Sequence, residues 1–369
     1  MKKLILFISI AAFLLPSFSN AIMAQGCMDS DSDEGITVMG YIQPQYTNIF
    51  FDEDKNGNTL YKPNSFFFKR ARIGVMGSIP YDISYYVMAE LSPAAHGYPY
   101  LLDAFVTYSP LGKYAKFSIG QFKSPVGLEL NTPCHDLHTI RRSTMVNYLA
   151  GPFRDMGLMV LGSSDSLFGI KDLFTYKLAI LNGTGINQWD DNKYKDFAAR
   201  LIISPWEWLK VGASYRTEKA GKKDDNGQKT RTRYGADISI EAFNFLLQGE
   251  YLYGKDVGLI GGGGGCGGKK STTATLETYE KSGFYVMAAY MTPWNLQPVV
   301  KFETYDPDKT SYKYLYVEQD FIQTTFTFGL NYFLNDWTRI QVNYLYNAEE
   351  NSSVEFPNDA IMIQVQAKF

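Results

Sequence analysis

Ile361-Met362-Ile363-Gln364-Val365-Gln366-Ala367-Lys368-Phe369 is the stretch that decides the fold. In an extended strand, Ile361, Ile363, Val365, Ala367 and Phe369 fall on one side. Met362, Gln364, Gln366 and Lys368 fall on the other. One face is apolar and the opposite face is mostly polar. A strand of a soluble sandwich could read the same way. Two features favour a closed barrel in lipid: the aromatic last residue, and the same alternation in strand after strand upstream. Lipid offers the backbone no hydrogen-bond partners, so spanning strands must close into a ring, apolar side chains outward and polar ones inward.

The 369 residues would allow two ordinary domains, but one sheet closed on itself can use the whole length. The 27 Tyr and 25 Phe suit strands and membrane-interface belts. Mean hydropathy is −0.20, far too polar for a helical membrane protein. A barrel hides its polar half in the lumen. Met1-Lys2-Lys3, the apolar run Leu4 to Leu15, and the small residues Ser17, Ser19, Ala21 and Ala24 read as a signal peptide over residues 1–24. That run is about a dozen residues, short of the ~20 a spanning helix needs. Residues 25–34 are expected to be an acidic leader and 35–369 the barrel. Net charge is −3, and losing Lys2 and Lys3 leaves 33 basic against 38 acidic residues, which speaks against a nucleic-acid binder. Cys27, Cys134 and Cys266 form no disulfide framework, and a Cys134–Cys266 bridge stays open.

Alternating stretches fall at about 35–50, 66–78, 81–90, 101–108, 114–121, 157–162, 172–181, 196–203, 208–217, 231–240, 243–253, 283–292, 296–305, 320–333, 337–347 and 360–369. The reading is therefore an all-β, antiparallel transmembrane barrel of about sixteen strands. Short connections (Ser204-Pro205-Trp206, Glu241-Ala242, Pro293-Trp294-Asn295, Leu334-Asn335-Asp336) alternate with long polar ones at 218–230, 254–282, 306–319 and 348–359. Short periplasmic turns and long outer loops are usual in this class. Asp52-Glu53-Asp54-Lys55-Asn56-Gly57-Asn58 is spaced like a calcium loop, but the closing Glu is missing, with Pro63 in its place, so it reads as a solvated turn. Gly261–Gly268 with Lys269-Lys270-Ser271 lacks the strand–loop–helix context of a phosphate loop and reads as a flexible tip.

The segment 122–156 stands apart. A barrel of about sixteen strands leaves an open aqueous channel, and something must fold inward to make it selective. This insert carries Lys123, Glu129, Arg141, Arg142 and Arg154, together with Val126, Leu128, Leu130, Leu137 and Ile140, too many apolar residues for a disordered loop. A short helix is expected over 132–145, with Arg141 and Arg142 near its end. Lys123, Arg141, Arg142, Arg154 and Glu129 are the candidate constriction and anion-binding residues, because a constriction brings charge closest to a passing ion. Strand parity places Arg70, Arg72, Lys116, Arg200, Arg231, Arg233 and Arg339 on the lumen wall, with Lys210, Arg216, Lys301 and Lys368. Asp82, Glu90, Asp103, Asp237, Glu250 and Glu303 are the acids there. An Arg or Lys facing mid-membrane lipid costs about 2–4 kcal/mol, which supports the inward assignment of the group. For any single wall residue, pairing with a neighbouring strand competes with a role in selectivity.

Enzyme chemistry finds no assembled acid–base set. There are three His (His96, His135 and His138), and Cys134-His135-Asp136-x-His138 without further context reads as polar loop rather than a metal site. No cofactor is expected. The first function reading is a water-filled pore for passive diffusion of small solutes. The second is a non-channel barrel serving as a binding or structural surface protein.

The residues Phe66-Phe67-Phe68-Lys69-Arg70-Ala71-Arg72-Ile73-Gly74 and Gly120-Gln121-Phe122-Lys123-Ser124-Pro125-Val126-Gly127-Leu128-Glu129 resemble the phosphate-selective porins of the O and P type. Ile140-Arg141-Arg142-Ser143 and Arg154-Asp155-Met156-Gly157 continue the likeness. The resemblance implies a sixteen-stranded homotrimer in the outer membrane of a Gram-negative bacterium, with an inward loop. It also implies basic pore residues favouring anions such as phosphate. The strand ending at Phe369 would be read by the barrel-assembly machinery, and lipid and small solutes or anions are the other expected partners.

Overall fold

In the computed structural model, residues 36–50, 64–92, 97–219, 230–260, 275–309, 322–350 and 358–369 are described. The expected signal peptide and leader, the turn at 52–58, His96, Cys27, Cys266 and the glycine run lie outside them. Sixteen strands close in chain order into one antiparallel barrel. They are β1 Ile36–Ile49, β2 Asn64–Ile79, β3 Ile83–Glu90, β4 Tyr100–Tyr108, β5 Lys116–Lys123, β6 Arg154–Ser163, β9 Phe174–Leu181, β10 Asp196–Trp206 and β11 Leu209–Lys219. The wall continues with β12 Thr230–Ala242, β13 Phe245–Ile260, β14 Thr275–Tyr290, β15 Leu296–Asp306, β16 Ile322–Phe333, β17 Thr338–Glu350 and β18 Ala360–Lys368. A small hairpin, β7 Ser166–Leu167 with β8 Ile170–Lys171, extends the connection between β6 and β9. Among the described residues no helix is long and apolar enough to cross a membrane.

The last strand behaves as its pattern dictates. Ile363, Val365 and Phe369 are exposed on the outer face, while Met362, Gln364 and Gln366 are buried on the inner one. β18 pairs with β17 on one side and β1 on the other, which removes the free edge. The seam ends in two reciprocal bonds: Gly40 N donates to Phe369 O at 2.8 Å, and Phe369 N donates to Gly40 O at 3.0 Å. A Cβ at Gly40 would stand 2.5 Å from the Arg72 carbonyl oxygen and 2.6 Å from the Phe369 ring, so the position needs glycine. The outward set includes Ile119, Leu158, Ile180, Leu201, Val211, Val300 and Phe328, all exposed. Arg70, Arg72, Arg200, Arg216, Arg233, Lys301 and Arg339 are buried on the inner face.

Several turns differ from expectation. β10 continues through Ser204, Pro205 and Trp206, and the chain reverses at Glu207 and Trp208. A register shift between Ile203 and Trp206 accommodates the proline, which has no N–H for the ladder. β12 likewise runs through Glu241 and Ala242. The reversal is at Phe243 and Asn244, with φ of 52° and 65°, as a two-residue hairpin turn matched to strand twist requires. Asp82 (φ 58°) sits exposed in the β2–β3 turn rather than on the wall.

Candidate functional site

Between β5 and β6 the chain makes an excursion of thirty residues, 124–153, that lies against inner-face side chains on the far side of the barrel. The helix expected over 132–145 does not form. Two short helices occur instead, α1 Leu128–Asn131 and α2 Thr144–Leu149, with an irregular stretch between them. Pro133 removes one helix donor and steers Thr132 to extended geometry. Five backbone groups of 134–140, the carbonyls of Cys134, His135, Leu137 and His138 and the N–H of Ile140, are met by wall side chains instead.

α1 is received by a carboxylate. The N–H groups of Leu128 and Glu129 donate to Glu250 Oε1 and Oε2 at 3.0 and 2.8 Å. Gly127, with φ 69°, leaves room for that carboxylate, since a Cβ there would fall 2.0 Å from Glu250 Oε1. At α2, Ser143 N donates to Glu129 Oε2 (2.7 Å) and Thr144 N to Glu303 Oε1 (2.9 Å). Lys301 Nζ balances both acids, 2.5 Å from Glu129 and 3.6 Å from Glu303. Beneath them, Val126, Leu130, Met145, Val146, Leu149 and Ala150 pack on Leu246, Leu252, Tyr285, Met287, Val299 and Tyr305. Those wall residues break the polar-inward rule because the insert, not water, covers them.

The middle of the insert is held differently. Gln366 Nε2 donates to His135 O (3.1 Å), Gln341 Nε2 to Leu137 O (3.2 Å), and Asn331 Nδ2 to His138 O (2.9 Å). Ile140 N donates to Asn343 Oδ1 at 2.7 Å. Arg72 and Arg142 each bring Nη1 to 3.3 Å from Cys134 Sγ, joining β2 to the insert through one sulfur. Burial pushes the Cys134 thiol up, but Arg142, Arg70, Arg72 and Lys123 outweigh it and hold it well below its usual range.

Charge is sorted around the wall. Arg154 is bidentate to Asp103, at 2.9–3.0 Å. Arg200 pairs with Asp237 at 2.6 Å, Arg216 with Asp196 at 2.6 Å and Arg233 with Asp256 at 2.5 Å. Arg72 pairs with Glu90 at 2.8 Å, and Arg231 lies 3.5 Å from Glu218. Some cations differ. Among the described residues no carboxylate lies within ion-pair distance of Lys69, Arg70, Arg141, Arg142 or Arg339. Arg70 donates to Gln43 Oε1 and Arg339 to Gln366 Oε1. Arg142 donates to the carbonyls of Glu129 and Thr132. Arg141 is exposed on the insert.

The model of one family, Phosphate-selective porin O and P, matches residues 37–369. The chain belongs to that family. Solved structures agree on the fold. An anion-selective porin from Comamonas acidovorans is 13% identical with a TM-score of 0.65, covering 91% of this chain and 99% of its own. Salmonella typhi OmpF in complex with daunomycin is 15% identical with a TM-score of 0.64, covering 90% and 97%. The outer membrane channel DcaP of Acinetobacter baumannii is 11% identical with a TM-score of 0.65, covering 90% and 97%. No curated protein matches the chain. Family and fold are those of channel proteins, and this porin is an outer-membrane channel for small solutes.

The candidate residues of the porin fare differently. Arg141, Arg142, Arg70 and Arg339 belong to the cations without a carboxylate. Arg154, Arg200, Arg231, Arg233 and Arg72 are neutralised by neighbours, and Lys116 is buried on β5. Lys123 places its ammonium on the carbonyls of Leu130 and Thr132, 3.2 and 3.3 Å away. Glu129 is buried under the insert with Lys301. Parity missed Lys69, the extra residue where the β1–β2 register slips between Gln43 and Pro44. Pro44, unable to donate to the ladder, was the available signal.

Proposed function

We propose that this porin passes small solutes with a preference for anions, and that Lys69, Arg70, Arg141 and Arg142 set that preference. The observation that carries the reading is the sorting of charge: the wall carboxylates named above are spent on cross-strand cations or insert amides, while these four cations keep no acid. An anion passing them meets positive charge without a compensating partner, at the short range where charge acts most strongly. Phosphate is one solute of this class, and the family's name supports it. The insert 124–153 acts as the constriction, and the native assembly is a homotrimer in the bacterial outer membrane. The seam formed by Phe369 and Gly40 supports delivery through the barrel-assembly machinery.

Planar bilayers in a salt gradient test the preference. The reversal potential should lie on the chloride side and move toward the cation side in Arg141→Glu/Arg142→Glu. An unchanged potential in that variant would remove the two arginines from selectivity, and the absence of conductance steps would remove the pore.

A further inference from the structure

Five carboxamides stand in register across five neighbouring strands of the inner wall. Gln297 (β15) pairs with Asn331 (β16), Asn331 with Gln341 (β17), Gln341 with Gln364 (β18), and Gln364 with Gln45 (β1). All five are almost fully buried beneath the insert or one another. Asn331 Nδ2 donates to Gln297 Oε1 (2.9 Å), Gln341 Nε2 to Asn331 Oδ1 (2.9 Å) and Gln364 Nε2 to Gln45 Oε1 (3.0 Å). The same row also faces the insert across the lumen side. Asn331 and Gln341 donate to His138 O and Leu137 O, and His138 Nδ1 lies 3.2 Å from Gln297 Oε1.

We propose that this row is a specificity-determining device: its uncharged amides position the insert so that Arg141 and Arg142 stand where a passing ion meets them. The inference rests on the anion preference proposed above. A carboxamide both donates and accepts, so a row of them satisfies its own members and still has donors for the carbonyls of an irregular segment. An apolar wall would orphan those carbonyls, and a charged wall would need counter-ions and alter the field the arginines create. The anchored carbonyls at Leu137 and His138, with Ile140 N on Asn343, end one residue before Arg141. Loss of the row therefore loosens the segment that leads into Arg141 and Arg142 without changing any charge, although Arg142 keeps its bonds to Glu129 O and Thr132 O. These are positioning residues, not ion-contacting ones.

The test uses full-length porin carrying Cys27→Ser and Cys266→Ser, so that Cys134, 5% exposed on the insert, is the one thiol left. In that background Asn331→Leu/Gln341→Met removes the donors at similar volume. A maleimide added to reconstituted protein should label Cys134 at least tenfold faster than in the parent. The reversal-potential shift in a salt gradient should fall by half or more. Should the double variant not fold, Gln341→Met alone keeps the Gln297–Asn331 pair and should move both readouts the same way, labelling about threefold. Unchanged labelling overturns the positioning role. Faster labelling with an unchanged reversal potential makes the row structural only and overturns its part in specificity. A parent channel without anion preference refutes the functional reading, while the labelling arm still decides whether the row holds the insert.

Discussion

Lys301→Met is the sharpest probe of how the insert is held. Lys301 is almost fully buried, its ammonium 2.5 Å from Glu129 and 3.6 Å from Glu303, over the Tyr285 ring at 4.7 Å from the centroid. Removing one member of a buried pair strands the other charge, at a cost of about 3–5 kcal/mol. Glu129 keeps one bond, from Ser143 N, which offsets part of that cost, and loss of the cation from the ring adds about 1 kcal/mol. The net expectation is about 4 kcal/mol against the docked insert, or roughly a thousandfold in its opening equilibrium. The barrel wall does not depend on this pair, because its ladder bonds are backbone to backbone. The loss should therefore appear locally, as faster hydrogen exchange of the amides at 128–149, with strands β9 to β12 still protected. Adding Glu129→Gln should recover about 2–3 kcal/mol, since the amide oxygen still accepts from Ser143 N and only Glu303, which keeps its bond from Thr144 N, is left as a buried charge without Lys301. If Lys301→Met changes protection by less than threefold, or by the same factor with and without Glu129→Gln, the pair does not hold the insert and the reasoning fails.

Three further outcomes follow from the geometry. Ile119→Arg, on the lipid face at 64% exposure, should lower barrel stability in bilayers by about 2–4 kcal/mol, measured by urea-driven unfolding from liposomes; a change within 0.5 kcal/mol would contradict the face assignment. Gly40→Val should block the seam, because its Cβ meets the Arg72 carbonyl, and should leave the chain without the heat-modifiable gel shift of a closed barrel. His135 and His138 on the insert are both held below the usual histidine range, chiefly by burial, with Arg339 adding to it for both and Lys368 for His135; Asp136 opposes it for both, and the Gln297 bond for His138. A released insert binds those protons more readily, so docking is strongest above about pH 6.5 and weakens as pH falls below it. Exchange at 133–140, corrected for the intrinsic rate, should quicken between pH 7.5 and 5.5, and His135→Asn/His138→Asn should abolish the difference.

The barrel was legible because a period of two is a local property. Ile363 and Gln364 report opposite faces from their positions alone, and so do Ile119 and Ser118. Turns were legible only to within two residues, since Phe243 adopts positive φ for the twist of the strands it joins and not for its own preference. The insert was legible as an insert, from its mix of basic and apolar residues, but not in its conformation. A helix over 132–145 looked reasonable while its backbone donors were counted as needing one another. Wall amides more than 190 residues away satisfy that backbone, and no local pattern announces them.

Net charge is a poor guide to selectivity for a related reason. The sequence is acidic overall, which taken alone argues against an anion channel. Selectivity depends on unpaired charge near the path, and pairing is a matter of strand order. Asp237 neutralises Arg200 because β10 and β12 flank β11, Asp103 neutralises Arg154 across β5, and Glu250 is committed to α1. What remains beside the insert is Arg70 against a glutamine, Arg339 against another, and Arg141 against none of the described carboxylates. Asp136 on the insert offsets part of that excess near Arg339, and acids farther off are screened by water over roughly 8 Å at physiological salt. On the proposed reading an acidic porin carries a basic passage, and which side chains make it basic follows from which neighbours the closed sheet supplies.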